Sequence, residues 1–119
     1  MDDLGVTTES VPGATVVDVS GEIDLHTAPG LRAALEPAVQ TAREQGTAVV
    51  VDLSGVSFLD STGLGELVGA HKALAESGGR LHVVAVGDRV RRLLGLTGLT
   101  EVLAVHDSRA DALGAARGT

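Results

Sequence analysis

The chain has 119 residues, 44% of them hydrophobic, with no cysteine and a formal net charge of −7; this suits one domain with a real core and excludes disulfides and thiolate metal sites. The acidic balance and a lone aromatic residue, Phe58, provide neither the basic patch nor the stacking surface that direct nucleic-acid binding draws on. No apolar run approaches the ~18 residues that span a bilayer, and no apolar segment follows the acidic start Met1-Asp2-Asp3, so the expectation is a cytoplasmic protein with no secretory leader and no membrane insertion.

Residues 4–8 fit a first edge strand, and Val11-Pro12-Gly13 is a turn signal. Residues 14–20 read as a second strand, with Val17 and Val19 on one face and Val16 on the other. Thr27 is the expected N-cap of a first helix, where Pro29 is tolerated because the first turn has unpaired N–H groups anyway. Leu31, Leu35, Ala38, Val39 and Ala42 recur at helical spacing, Pro37 threatens a kink, and Gly46 stops the run. The β-branched stretch 47–53 reads as a strand covered on both faces, and 54–60 as its connection to a second helix. That helix carries a stripe of Leu64, Leu67, Val68, His71 and Leu74 and ends at Ser77-Gly78-Gly79. Residues 81–86 form a further strand, Asp88 caps a short helix bearing Val90, Leu93 and Leu94, residues 101–105 make the last strand, and Asp107 or Ser108 caps a terminal helix. The order predicts a single α/β domain: a mixed, mostly parallel sheet of about five strands with about four helices.

Enzyme patterns are poorly served. The surroundings of Ser61, Leu59-Asp60-Ser61-Thr62-Gly63, lack the first glycine of a nucleophile elbow, and none of His26, His71, His82 and His106 is marked as its base. A serine hydrolase is thus a remote alternative. Gly63, Gly65 and Gly69 miss the dinucleotide fingerprint by one residue and start too far after the strand, and the sole lysine, Lys72, follows no phosphate loop. Asp52 ends a strand as a receiver-domain phosphoacceptor does, but no acidic pair and no late lysine accompany it. No metal-ligand spacing is present.

At Ser61 two roles meet. A hydroxyl at a helix start caps unpaired N–H groups, a role worth about 1 kcal/mol, so Ser61 or Thr62 is expected to cap the second helix. A phosphate there would also face those donors and the helix dipole, worth ~0.3–1 kcal/mol, against repulsion from Asp60 of comparable size. The fold would therefore tolerate the modification, whereas a docked partner would not, since an unmatched charge at an interface costs several kcal/mol. Gly63 and Gly65 would leave low walls for a partner's approach.

Three blocks, Gly21-Glu22-Ile23-Asp24 with Thr27-Ala28, Val49-Val50-Val51-Asp52-Leu53, and Phe58-Leu59-Asp60-Ser61-Thr62-Gly63-Leu64-Gly65, together with Arg92-Leu93-Leu94-Gly95-Leu96-Thr97-Gly98-Leu99, resemble a STAS domain. The match is closest to the bacterial anti-sigma factor antagonists and covers roughly residues 5–112 of a single domain spanning 1–119. The resemblance implies a non-enzymatic switch. It implies that the serine after the aspartate of the block, here Ser61, would be phosphorylated by an anti-sigma factor that is itself a serine kinase. The unphosphorylated form binds that factor and releases a sigma factor, and a phosphatase resets the phosphorylated form. ATP and Mg²⁺ then belong to the kinase, and the chain itself needs no cofactor. Asp24, Asp60, Thr62 and Gly63 are carried over as partner contacts around Ser61, and Thr62 stands where a second serine is often seen, as a cap or second acceptor. Asp24 and Asp60 also have purely local readings, as loop and turn caps. The family's other uses, in lipid-transport machines, stress-sensing complexes and anion-transporter tails, give the alternative reading.

Overall fold

The computed structural model describes residues 4–117. The predicted order of elements holds: β1 (Gly5–Val11), β2 (Ala14–Ile23), α1 (Ala28–Gln45), β3 (Ala48–Leu59), α2 (Ser61–Ala75), β4 (Leu81–Val84), α3 (Asp88–Leu96), β5 (Ala104–His106) and α4 (Arg109–Arg117). A single 3₁₀ turn, Leu99–Glu101, precedes β5. The strands lie in sequence order in one sheet, β1 antiparallel to β2 and the rest parallel. Each parallel step needs a crossover, and α1, α2 and α3 supply the crossovers on one face. Their buried residues, among them Leu31, Leu35, Leu67, Leu74, Val90 and Leu94, pack with Val17, Val19, Val49, Val51 and Val83 into the main core. Among the described residues the other face carries only α4, whose Ala112 and Ala116 cover Val16, Val50 and Val84. Strands buried on both faces explain the unbroken valine runs.

Several boundaries differ from expectation. β3 does not end at Leu53 but runs on to Leu59, beside the extended end of β2. Register shifts after Asp18 and Gly21 put extra residues in β3, which scrambles the alternation and made 54–60 look like a connection. Gly55 belongs to this stretch because a Cβ there would lie 2.9 Å from Ser20 Cβ. α1 continues through Pro37. β4 stops at Val84, and Asp88 is the first residue of α3 rather than its cap, the N-cap position being Gly87. β5 begins only at Ala104, because Leu103 N–H still donates back to Leu99 O at 2.7 Å, just past the 3₁₀ turn. Ser108 caps α4 as expected, its Oγ accepting from Asp111 N–H at 3.0 Å.

Candidate functional site

β2 and β3 end together: Ile23 pairs with Leu59, and Asp60 N–H donates to Ile23 O at 3.2 Å. The next residue of each strand is an aspartate, so the sheet places Asp24 and Asp60 side by side at its C-terminal edge, with Ser61 opening α2 directly after. Apolar pairing inside thus positions a polar, acidic lip outside.

Asp60, not Ser61 or Thr62, caps α2. Its backbone is extended, and its Oδ1 accepts from Thr62 N–H at 2.9 Å and Gly63 N–H at 3.2 Å, while its carbonyl accepts from Leu64 N–H. A carboxylate in this position satisfies the orphan donors and complements the dipole. The expected capping by a hydroxyl is therefore corrected. The correction matters chemically, because Ser61 is exposed and its Oγ makes no hydrogen bond among the described residues. None of the four histidines bonds to it, which gives the hydrolase reading no nucleophile–base pair. Two of the donors expected to face a phosphate, the Thr62 and Gly63 N–H groups, are engaged by Asp60 instead.

Asp24 organises the neighbouring loop. Its Oδ1 accepts from His26 N–H at 2.9 Å and Thr27 N–H at 3.0 Å. The Thr27 N–H outweighs the opposing effect of burial and, with help from the His26 N–H, holds the Asp24 carboxyl below its usual value. Thr27 does not cap α1 with its side chain. Its hydroxyl turns back, donating to Glu22 O at 2.7 Å and accepting from Asp24 N–H at 2.9 Å. Thr62 is half-buried beside Ser61. Gly63 is buried, so it serves the packing of the helix start and not the outer surface expected of it, whereas Gly65 is open.

Sequence reading missed the apolar part of this edge. Leu25 is 68% exposed, Val86 56% and Leu96 79%, and Phe58 is exposed as well. Leu25, Phe58 and Val86 lie at or just beyond the C-terminal ends of β2, β3 and β4. Phe58 also lines a groove with Val90, Leu93 and Leu96, bordered by Arg89 and Arg92. Exposed large apolar side chains gathered at one edge mark an interaction surface. The available signal was Phe58, the one aromatic residue, set between the exposed Ser57 and the buried Leu59 at the start of the serine block.

Asp52 lies elsewhere. It is buried, accepts from Ser54 N–H at 2.9 Å, and is bound by Arg109 of α4 at 3.0 Å, with Asp18 on the same guanidinium. It pins α4 to the sheet, in keeping with rejection of the receiver reading. His71, at the boundary of the core, accepts at Nδ1 from Leu81 N–H at 3.3 Å. Among the described residues no three ligating side chains converge on a metal site, and no helix is long and apolar enough to cross a membrane.

A four-helix, five-stranded α/β domain presenting a capped helix start and a free serine on one sheet edge is the class of molecule that fold and site define. The chain belongs to the STAS domain family, which matches residues 6–112. It is 34% identical over 111 residues to the anti-sigma F factor antagonist of Paenibacillus polymyxa, covering 93% of each chain. It is 41% identical over 92 residues to the anti-sigma-B factor antagonist of Staphylococcus aureus, covering 76% of this chain and 82% of the relative. The crystal structure of an anti-sigma factor antagonist from Mycobacterium paratuberculosis superposes with a TM-score of 0.86 at 39% identity, over 96% of this chain and 94% of that one.

Proposed function

We propose that this protein is an anti-sigma factor antagonist whose Ser61 is the switch. In the unphosphorylated state the edge formed by Asp24, Asp60, Ser61 and Thr62, flanked by Leu25, Phe58 and Leu96, docks on an anti-sigma factor and so frees a sigma factor. The anti-sigma factor is a serine kinase that brings its own ATP and Mg²⁺, and a phosphatase reverses the modification; all act in the cytoplasm. The observation that carries the reading is the division of labour at the start of α2: Asp60 holds the helix, so Ser61 is exposed with a hydroxyl that the fold does not use. A phosphate added there brings ~1.5–2 negative charges next to two aspartates at a surface with apolar contact area. Desolvating that charge against a partner costs several kcal/mol, so phosphorylation ends binding without unfolding the domain.

The test is incubation with candidate anti-sigma kinases and ATP, followed by mapping of the phosphate and measurement of complex formation. Labelling at Ser61 with loss of binding is the expected result. Stable association with transporter subunits and no labelling would transfer the protein to the lipid-transport reading. Ester turnover that disappears in Ser61→Ala would instead establish an enzyme.

A further inference from the structure

The opposite edge of the sheet, where the parallel strands begin, contains a second concave site. It is a cavity of about 610 Å³, well inside the range of roughly 300–1,000 Å³ typical of small-molecule sites. Arg43, Arg80, His82 and His106 line it, with Ala42 and Leu74 among its apolar walls, and no aspartate or glutamate does. In a chain where acids outnumber Lys and Arg by 16 to 9, such a lining is a local reversal of sign.

The histidines form a pair. His82 is buried, its Nδ1 lies 3.1 Å from His106 Nε2, and the rings stack with centroids 5.3 Å apart. One nitrogen of that contact donates and the other accepts. The remaining nitrogens, His82 Nε2 and His106 Nδ1, have no protein partner among the described residues. Arg80 forms no ion pair among them either, while Arg43 shares its charge with Glu76, the residue that follows α2, at 3.4 Å. Around the pair, β3 offers only Val50 opposite His82, and α4 brings Ala116 and then Arg117, which is bonded to Pro12 O at 2.9 Å. Burial first, then the positive charges of His106 and Arg80, push His82 below its usual value. Cationic and proton-accepting groups are thus crowded together in a lining without acids, and the neighbouring Glu76 and Asp107 are engaged by Arg43 and Arg91.

We propose that this cavity binds a small amphipathic anion, with a phosphate or carboxylate head on Arg80 and the His82–His106 pair and an apolar body against the alanine and leucine walls. An anion there offsets the crowding of like charge, so binding takes up a proton at the pair and is tighter at lower pH. The site lies across the sheet from Ser61 and is independent of the switch.

Titration of the ¹⁵N-labelled chain with phenyl phosphate, benzoate and inorganic phosphate, followed by NMR, tests the proposal. Saturable shifts are expected at Gly78, Gly79, His82 and His106, with Asp60 and Ser61 unmoved. The tighter of the two aromatic ligands identifies the head group, and inorganic phosphate, lacking a body, should bind several-fold more weakly. With ligand bound, the His82 ring should titrate about one pH unit higher than without it, the counterpart of an about tenfold pH-linked change in affinity. Arg80→Gln, at an exposed position, should keep the wild-type melting curve and lose about fivefold or more in affinity. Shifts that never saturate or scatter over the whole surface would overturn the site. So would full affinity in Arg80→Gln, equal binding of inorganic phosphate, or ring titrations that ignore the ligand.

Discussion

Gly63, in the first turn of α2, lies against Ile23, the last residue of β2, so closely that a Cβ on the glycine would come within 2.5 Å of Ile23 Cγ2. The Leu59 side chain crowds the same point. The helix that begins with Ser61 therefore rests directly on the paired ends of β2 and β3, and Gly63 sets the depth at which it sits. Two residues on, Gly65 has nothing within 4 Å of the equivalent position.

These two glycines should separate in a thermal or urea melt. Gly63→Ala forces a shift of buried side chains and is expected to cost about 1–3 kcal/mol. Gly65→Ala, in open space within a helix, should raise stability by up to ~1 kcal/mol, because alanine loses less backbone entropy. A Gly63→Ala protein that melts like the wild type would show that the helix start is not fixed by this contact.

Asp60→Ala removes the carboxylate that binds Thr62 N–H and Gly63 N–H. The expected loss is about 1 kcal/mol, within the usual range of ~0.5–2 for an N-cap, and Asp60→Asn should recover most of it. Equilibrium unfolding reads the stability directly. Binding to an anti-sigma factor should fall further in Asp60→Ala than in Asp60→Asn, because only the former lets the first turn fray beneath Ser61.

Ser61 should behave in the opposite way. With no hydrogen bond to lose, Ser61→Ala is expected to stay within about 0.5 kcal/mol of wild type. Ser61→Glu should also fold, yet bind an anti-sigma factor at least about a hundredfold more weakly. Calorimetric titration of the two variants gives the answer; equal binding by both would remove Ser61 from the interface.

The contrast between Asp60 and Ser61 also marks where sequence reasoning stops. The α/β class, the order of elements and the core positions Leu31, Leu35, Leu67 and Leu74 follow from periodicity, which reports burial. The choice of cap does not, because Asp60, Ser61 and Thr62 are all good capping residues and only backbone geometry at Asp60 decides among them. At α1 the expected N-cap position, Thr27, holds, but its hydroxyl serves the loop built on Asp24 instead of capping the helix. The end of β3 escaped because its bulges break the two-residue period. The cavity of Arg80, His82 and His106 escaped because Arg80 and His82 lie at the start of β4 and His106 ends β5, so they meet only in the folded sheet.

Arg109 spans the outer face of the sheet, with Nε 3.1 Å from Asp52 Oδ2 and a terminal nitrogen 3.0 Å from Asp18 Oδ2. Burial alone would raise the Asp52 carboxyl, but bonds from Ser54 and Arg109 together outweigh it and hold the group below its ordinary value. A folded-state value below the unfolded one means that the native state binds its proton less readily. The stabilisation is therefore complete above the unfolded value of about 3.9 and disappears as pH falls through the lower folded value. Asp52→Asn should be less stable than wild type near pH 7, and the gap should narrow below about pH 4. Arg109→Ala leaves Asp52 buried without its cation. A fully buried pair broken in this way costs ~3–5 kcal/mol, and the partial exposure of Arg109 reduces the expectation to roughly 2 kcal/mol. Because Arg109 opens α4, which packs on that face, exchange protection should fall first in its amides. Urea melts of the three proteins at the two pH values test the account, and a pH-independent gap between wild type and Asp52→Asn would contradict it.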